Sequence, residues 1–171
     1  MLRRGRGSAA TLGGVREGDG IHRYRARCSW SGSTAVGYDT YDRSHQAAAP
    51  PANVALRLSA DPAFRGDPQL LNPEQLLVLA ATSCQLLSFL AVASRARVDV
   101  VAYEDDAEAV MPEADRPVRV TTITLRPQIT VRAGPTEERV RHLVEVAHRE
   151  CYIANSLRSD VRVQPEITFV P

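Results

Sequence analysis

The longest apolar stretch of the chain predicts a long, buried central helix, with the sequence NPEQLLVLAATSCQLLSFLAVASRARV over residues 72–98. Asn72 is a favourable N-cap, Pro73 suits the first helical position, and Glu74 lies in the positive first turn. Apolar residues occupy every side, which is typical of a helix buried all round. Polar residues in the middle and arginines near the end argue against a membrane span, namely Thr82, Ser83, Gln85, Ser88, Arg95 and Arg97.

Short alternating stretches before this helix predict strands. Residues 21–30 and 36–45 alternate well enough to form a hairpin. Residues 46–53 are rich in alanine and proline and predict a connection, which is followed by a short strand over 54–59. Two prolines, a glycine and two aspartates over 60–71 predict a loop that crosses near the start of the helix.

The second half of the chain begins and ends with stretches typical of strands. Residues 98–107 and 118–131 predict an antiparallel hairpin around the connection 111–117. Residues 161–170 close the chain as a strand that is interrupted or bulged at Pro165, because proline cannot donate to a sheet ladder.

A second, shorter helix is predicted between these strands. Gly134 and Pro135 open it, and an apolar stripe follows at helical spacing: Val140, Leu143, Val144, Ala147 and Cys151. The element order is strands, helix, strands, helix, strand. This order predicts an α+β fold with a mostly antiparallel sheet.

Length and charge limit the function classes. A chain of 171 residues fits one domain, and a net charge of +1 gives no general attraction to nucleic acid or a membrane surface. Residues 1–20 are basic and rich in small residues, and they lack the apolar middle of a signal peptide. We therefore expect a disordered basic tail over 1–20, a single domain over 21–171, and a cytoplasmic protein.

Three cysteines, Cys28, Cys84 and Cys151, are too few and too widely spaced for the disulfide framework of a secreted protein. The four histidines and the cysteines lack the close pairings of zinc sites, so we expect no metal. Cys28 is interpreted as a small core residue of the first hairpin.

Cys84 and Cys151 lie on the apolar stripes of the two predicted helices, so their sulfurs can approach each other if the helices pack together. Two readings stay open here, a pair of inert core cysteines and a redox pair. To act as a nucleophile near neutral pH, Cys84 needs a positive partner, because burial opposes ionisation. One guanidinium about 4 Å away supplies about 4 kcal/mol at an effective dielectric constant of 20.

Such an arginine needs a carboxylate to fix it, and Glu74 is the nearest candidate in sequence. On a straight helix, however, Glu74 and Cys84 are about 15 Å apart along the axis and roughly 80° apart around it, so they cannot touch. Three solutions stay open: the helix breaks between them, an arginine bridges the gap, or a second copy of the chain supplies the carboxylate. Glu74 as an ordinary first-turn acid is the alternative.

Two segments resemble a known family. NPEQLLVLAATSC resembles the Asn-Pro-Glu and cysteine signature of the OsmC/Ohr family, thiol peroxidases that reduce organic hydroperoxides, and AHRECYIANSL resembles the second cysteine motif of that family. The resemblance covers roughly residues 24–170. It implies an OsmC-like fold in an intertwined homodimer, with Cys84 as the peroxidatic cysteine, Cys151 as the resolving cysteine, and Glu74 as the carboxylate that holds a catalytic arginine.

The resemblance leaves two candidates for that arginine. Family members place it in the N-terminal strand and loop region, where Arg43 in YDRSH and Arg65 in FRGD both qualify. Arg43 is favoured because the second predicted strand can lay it across the helix, whereas Arg65 is closer in sequence to Glu74.

The resemblance also implies a mechanism. The Cys84 thiolate attacks the distal peroxide oxygen, which releases an alcohol and leaves a sulfenic acid, and Cys151 condenses with it to a Cys84–Cys151 disulfide. A dithiol reductant, in this family often a lipoylated protein, resets the pair without a metal, flavin or haem. Tyr152 replaces the proline that commonly follows the second cysteine, and the loop before the helix differs from the glycine-rich arginine loop of the family, so the substrate range is open.

Two rival functions need no thiol chemistry. A thioesterase-like hydrolase would use Glu74 to activate water, and a small hydrophobic ligand-binding module would use the cysteines only for packing. Replacement of Cys84 with serine separates both from a peroxidase.

Overall fold

The computed structural model describes residues 20–171. The tail predicted over residues 1–20 therefore lies outside the described residues, Gly20 excepted, and it stays a prediction, as does the single domain over 21–171. The described elements, in chain order, are β1 (Arg27–Ser29), β2 (His45–Ala48), β3 (Ala55–Leu58), α1 (Pro73–Arg95), β4 (Val100–Asp105), β5 (Glu108–Val110), β6 (Thr122–Leu125), β7 (Pro127–Arg132), α2 (Glu137–Glu150), α3 (Tyr152–Ser156), β8 (Asp160–Val163) and β9 (Glu166–Val170).

The first three strands form an antiparallel sheet in the order β1-β2-β3. The predicted strand over 54–59 is confirmed as β3, but the predicted hairpin of 21–30 with 36–45 is wrong. Strand β1 covers only Arg27–Ser29, and its partner β2, His45–Ala48, lies mostly in the segment 46–53 that was predicted as a connection.

Local hydrogen bonds explain why residues 31–44 do not form a strand. A 3-10 turn covers Thr34–Val36; the Ser33 side chain caps its start by accepting from the Ala35 N–H, and Gly37 ends it at φ 96°. The indole N–H of Trp30 donates to the Asp42 carbonyl at 2.7 Å. Side-chain and turn hydrogen bonds of this kind compete with a sheet ladder, and here they replace it.

This first sheet has little cover from the rest of the described chain. All of β1 is exposed, and β3 is exposed except at Leu58, which is 3% exposed. The core position predicted for Cys28 is therefore wrong within a single chain, where the side chain is exposed on β1. The sheet joins the body of the protein through a bridge between Leu58 and Leu71 at the start of α1.

The remaining six strands form two three-stranded sheets, one of order β4-β7-β9 and one of order β5-β6-β8. The β4–β7 and β5–β6 pairs are antiparallel, which confirms the hairpin predicted around residues 111–117, while β9 and β8 add in parallel. The final strand is interrupted at Pro165 as predicted. The α+β class with antiparallel-rich sheets is thus confirmed.

Helices α1 and α2 pack on the same face of these sheets. The start of α1 is confirmed in detail: Asn72 and Gln75 form a capping box in which each side chain accepts from the other's backbone N–H. The largest core cluster lies between the helices and the sheet, and it contains Phe89, Val92, Ile129, Val131, Val140, Val144 and Ala147. Helix α3 was not predicted as a separate element.

The exposure of α1 differs from the prediction of burial on all sides. Leu79, Leu87 and Leu90 form an exposed apolar stripe, 51%, 64% and 38% exposed. Only 28% of the most apolar 18-residue window of the helix is buried inside the chain. By length and composition, α1 alone among the helices of residues 20–171 could cross a membrane, a property that core helices share. The face of α1 that packs against the sheets is buried as predicted. Its opposite face is apolar but remains exposed in a single chain.

The loop between β3 and α1 depends on Gly66. A Cβ at this position would lie 1.7 Å from the Ala60 carbonyl oxygen, and the Gly66 N–H donates to the Asp61 carbonyl at 3.0 Å. We expect Gly66→Ala to lower the free energy of unfolding by about 1–3 kcal/mol, because the backbone must move to relieve the overlap. Urea unfolding followed by circular dichroism measures this, and an unchanged midpoint would contradict the close approach.

Candidate active site: a cysteine pair beneath α1

The structure brings together the two predicted cysteines. The side chains of Cys84 on α1 and Cys151 at the end of α2 lie side by side, because the N–H groups of two adjacent residues contact their sulfurs. The Ile153 N–H donates to the Cys84 sulfur at 3.5 Å, and the Ala154 N–H donates to the Cys151 sulfur at 3.5 Å. Both cysteines are free thiols. The condition stated for their approach, that the two helices pack together, is met.

The corner between α2 and α3 holds Cys151 in place. The Cys151 N–H donates to the His148 carbonyl and closes α2, while its sulfur caps the start of α3. Its backbone is extended, at φ −70° and ψ 108°, so the chain turns sharply there. Ile153 of α3 and Leu157 just after it pack against the cluster of Ala81, Ile123 and Leu125, which fixes α3 beside Cys84.

The two sulfurs have unequal surroundings. Cys84 is half-buried, whereas Cys151 is 1% exposed, as its place on the buried stripe predicted. The pKa of Cys151 is raised to about 11, mainly by burial and also by the neighbouring Cys84, although the Ala154 N–H acts in the opposite direction. A solute can therefore reach Cys84 first, while Cys151 stays protonated behind it near neutral pH.

Arg43 is held rigidly, but by its own loop. Its guanidinium donates to the carbonyls of Tyr38 and Tyr41, and it stacks on both rings at 4.8 Å and 4.0 Å from their centroids. The side chain makes no ion pair with a carboxylate of residues 20–171. Cation–π contacts and two hydrogen bonds fix its direction at the entrance to β2.

Arg65 has a different setting. It occupies a left-handed backbone position, φ 66°, and its Nε donates to Asp39 at 3.1 Å, with the two side chains 62% and 74% exposed. Exposed pairs of this kind contribute little to stability. Neither Arg65 nor Arg43 hydrogen-bonds to Cys84 in the part of the chain that is described, so the structure does not unite the predicted arginine with the thiol.

Glu74 lies in the first turn of α1 and makes no ion pair within the described range. It lines an open cleft of about 490 Å³, whose walls are formed mainly by Leu71, Val78, Leu79, Ala109, Met111 and Val120. Cys84 does not line this cleft. Since α1 runs unbroken from Pro73 to Arg95, the structure excludes a helix break as the way to unite Glu74 with Cys84.

Residues 20–171 contain no group of histidine, cysteine, aspartate or glutamate side chains arranged to hold a metal ion. The polar groups that contact the two sulfurs are instead the backbone N–H groups of Ile153 and Ala154. Sequence reasoning missed both, because a backbone N–H leaves no residue-type signal.

Solved structures with the same fold include three that are informative. An OsmC-like protein of unknown function from Vibrio cholerae matches with a TM-score of 0.78 at 25% identity, over 85% of this chain and 100% of that one. An organic hydroperoxide resistance protein from Legionella pneumophila matches with a TM-score of 0.63 at 16% identity, over 88% and 99%. The organic hydroperoxide resistance protein OhrB of Bacillus subtilis matches with a TM-score of 0.57 at 17% identity, over 85% and 98%.

No curated protein matches this chain. The model of the OsmC-like protein family, in contrast, matches residues 66–166, which is more than half of the chain and includes both cysteines, and the three structures above share its fold. The chain therefore belongs to the OsmC-like protein family.

Proposed function

We propose that this protein is a cysteine-based thiol peroxidase that reduces organic hydroperoxides to alcohols. The family and the neighbours that are named for hydroperoxide resistance support a role in redox chemistry and peroxide resistance. The observation that carries the finer proposal is that adjacent N–H groups, those of Ile153 and Ala154, donate to the half-buried Cys84 sulfur and the buried Cys151 sulfur, which places the two sulfurs side by side.

In the first step, the Cys84 thiolate attacks the distal oxygen of the hydroperoxide. An S–O bond forms, the O–O bond breaks, and the alkoxide takes up a proton to leave as an alcohol, so that Cys84 becomes a sulfenic acid. The Ile153 N–H donates to the Cys84 sulfur in the resting protein, and this hydrogen bond keeps the sulfur oriented during the attack.

In the second step, the Cys151 sulfur attacks the Cys84 sulfur and water leaves, which gives a Cys84–Cys151 disulfide. The two sulfurs lie side by side in the reduced protein, so this step needs only a small movement. Because Cys151 is almost fully buried and its pKa is raised, it reacts poorly with outside oxidants and acts as the internal thiol.

A dithiol reductant, such as a lipoylated protein, would reopen the disulfide by exchange at the more exposed Cys84. No metal, flavin or haem enters this cycle. The pair works only where thiols are otherwise kept reduced, which fits a cytoplasmic protein.

We further propose that the working form is an intertwined homodimer. The first sheet lacks cover, α1 has an exposed apolar stripe, and Arg43 and Glu74 are both charged groups without an ion-pair partner in the described chain. If the first sheet of each copy covers α1 of the other, the apolar faces are buried. The Arg43 side chain of one copy then lies across the interface from Glu74 and the two cysteines of the other copy.

This arrangement favours Arg43 over Arg65 as the activating arginine, since Arg43 is already fixed in direction and unpaired. We expect Arg43→Lys to lower kcat/KM for a hydroperoxide by about 10²-fold or more, because a lysine cannot reproduce the planar donor set. Arg65→Lys is the matched control and should retain activity within about threefold. The opposite pattern would assign the role to Arg65.

The direct test of the proposed function is stopped-flow reduction of cumene hydroperoxide by the reduced protein. We expect stoichiometric cumyl alcohol in a single turnover and steady turnover when a dithiol such as dihydrolipoamide is supplied. Absence of peroxide consumption by the fully reduced dimeric protein would contradict the proposal.

A further inference from the structure

The corner between α2 and α3 frees two backbone N–H groups for the cysteine sulfurs. In a continuous α-helix, each N–H donates to the carbonyl four residues earlier. The Ile153 N–H would then donate to the Arg149 carbonyl, and the Ala154 N–H to the Glu150 carbonyl. Because Cys151 has an extended backbone, at φ −70° and ψ 108°, the helix stops there and both N–H groups donate to sulfur instead.

The Arg149 carbonyl has a replacement donor for the Ile153 N–H. The Asn155 side chain donates to this carbonyl through Nδ2 at 2.9 Å. Arg149 lies in the last turn of α2 and Asn155 in α3, so the hydrogen bond spans the corner. The last carbonyls of a helix need partners of this kind, because their own helix offers them no N–H. Asn155 thus takes the place of the Ile153 N–H at this carbonyl.

Without the Asn155 hydrogen bond, the Arg149 carbonyl would compete with the Cys84 sulfur for the Ile153 N–H. A backbone carbonyl oxygen is a strong hydrogen-bond acceptor, whereas a thiol sulfur is a weak one. The competition therefore favours the carbonyl when it has no other donor. Asn155 occupies the carbonyl and leaves the Ile153 N–H to the sulfur.

Asn155 also joins the two halves of the site. Apolar side chains of α3 and of the residue that follows it hold this short helix to the cluster that contains Ala81, one turn before Cys84 on α1. The Asn155 hydrogen bond holds the same helix to the last turn of α2, just before Cys151. The position of one sulfur relative to the other therefore depends on both attachments.

We propose that Asn155 is a positioning residue for the cysteine pair and acts through the Ile153 N–H on Cys84. This inference rests on the proposed peroxidase cycle and deepens it. With the corner fixed, adjacent N–H groups keep the two sulfurs side by side, so Cys151 is in place when Cys84 becomes a sulfenic acid. Asn155 itself takes no part in bond making. It raises the fraction of molecules that are ready to close the disulfide.

The variant that tests this role is Asn155→Ala. The side chain is exposed, so its loss opens no cavity, and alanine is favourable in a helix. The matched control is Ser156→Ala, because Ser156 is also exposed on α3 and its hydroxyl donates to the Tyr152 carbonyl at 2.7 Å. Both variants lose one side-chain hydrogen bond to a backbone carbonyl, but the bond lost in Ser156→Ala stays within α3.

The first readout is the rate of disulfide closure with diamide, which needs no hydroperoxide. Diamide adds to the Cys84 thiol, and the Cys151 sulfur then displaces the reduced reagent, a hydrazine, as the S–S bond forms. Mass spectrometry of acid-quenched samples separates the adduct from the disulfide. We expect Asn155→Ala to slow closure by about three- to tenfold, the factor that corresponds to one net hydrogen bond. Ser156→Ala should close at the parent rate.

The second readout follows the Ile153 N–H itself, which a general loss of stability would not affect in this way. The chain contains five isoleucines, so isotope-labelled isoleucine gives few amide signals in an NMR spectrum, and Ile153→Val assigns the one required. In the parent protein, alkylation of Cys84 should shift this signal, because the sulfur that accepts from the N–H changes. The shift should be smaller in Asn155→Ala, where the N–H has moved toward the Arg149 carbonyl.

These measurements separate the inference from the proposed function. If the parent protein consumes no hydroperoxide, the proposed function fails, while slow diamide closure in Asn155→Ala still supports the positioning role. Parent-like closure in Asn155→Ala would overturn the inference alone, and so would an unchanged response of the Ile153 signal. Equal slowing in Ser156→Ala would also overturn it, because the effect would then come from a general weakening of α3.

Discussion

Replacement of Cys84 with serine is expected to abolish peroxide turnover, with a loss of more than about 10³-fold in kcat/KM. The thiolate is the nucleophile of the first step, and a serine hydroxyl in the same place is not ionised near neutral pH. The substitution changes one atom at a half-buried position, so the fold should persist. Reduction of cumene hydroperoxide in the presence of dihydrolipoamide measures the effect.

The matched variant is Cys151→Ser, which should fail in a different way. It should consume about one equivalent of hydroperoxide at the parent rate and then stop as a Cys84 sulfenic acid, which dimedone labels. The difference between the two variants assigns the order of the cysteines. Turnover by Cys84→Ser at the parent rate would contradict the mechanism. It would instead favour a hydrolase that uses Glu74 or a ligand-binding module.

The parts of the fold that follow from local sequence were predicted well. Asn72 and Pro73 mark the start of α1 because capping depends on only a few adjacent residues. The apolar stripe of α2 placed Cys151 on the buried face for the same reason, since helical periodicity decides which residues point inward. Together these two regularities placed both cysteines on predicted helices, and the family resemblance then implied that they form a pair.

Other features depend on contacts that periodicity does not encode. The alternation of residues 36–45 resembles a strand, yet Ser33, Gly37 and Trp30 direct the chain into turns. The conformations of the loops around Arg43 and Arg65 depend on such local hydrogen bonds, so the resemblance left two candidate arginines, with Arg43 favoured only by its position on a predicted strand. The prediction of all-round burial for α1 failed within one chain because composition reports how apolar a helix is and not which molecule covers it.

The exposed face of α1 leads to the second large effect. We expect the parent protein to sediment at about twice the 18.7 kDa mass of one chain, and Leu87→Asp to shift it to the monomer. Leu87 is 64% exposed in the single chain, so a carboxylate there is solvated in the monomer and costs little. In the proposed dimer each copy would bury this charge without a partner, at a cost of several kcal/mol per chain.

Activity should fall with the loss of the dimer, by about 10²-fold or more, because Arg43 would no longer reach the cysteine pair of the other copy. Disulfide closure with diamide should survive in any folded monomer, since Cys84 and Cys151 meet within one chain. Sedimentation equilibrium and peroxide kinetics on the same samples test both expectations.

Leu87→Ala is the control at the same position. It removes apolar area without adding charge, so the dimer should persist with only a modest loss of stability. If Leu87→Asp stays dimeric and active, α1 does not face the partner in the way proposed. If it becomes a fully active monomer, Arg43 and Glu74 must act on Cys84 within one chain, and an arginine of the same copy must then move to the thiol. The pair of variants thus decides whether the activating charge comes from the second subunit.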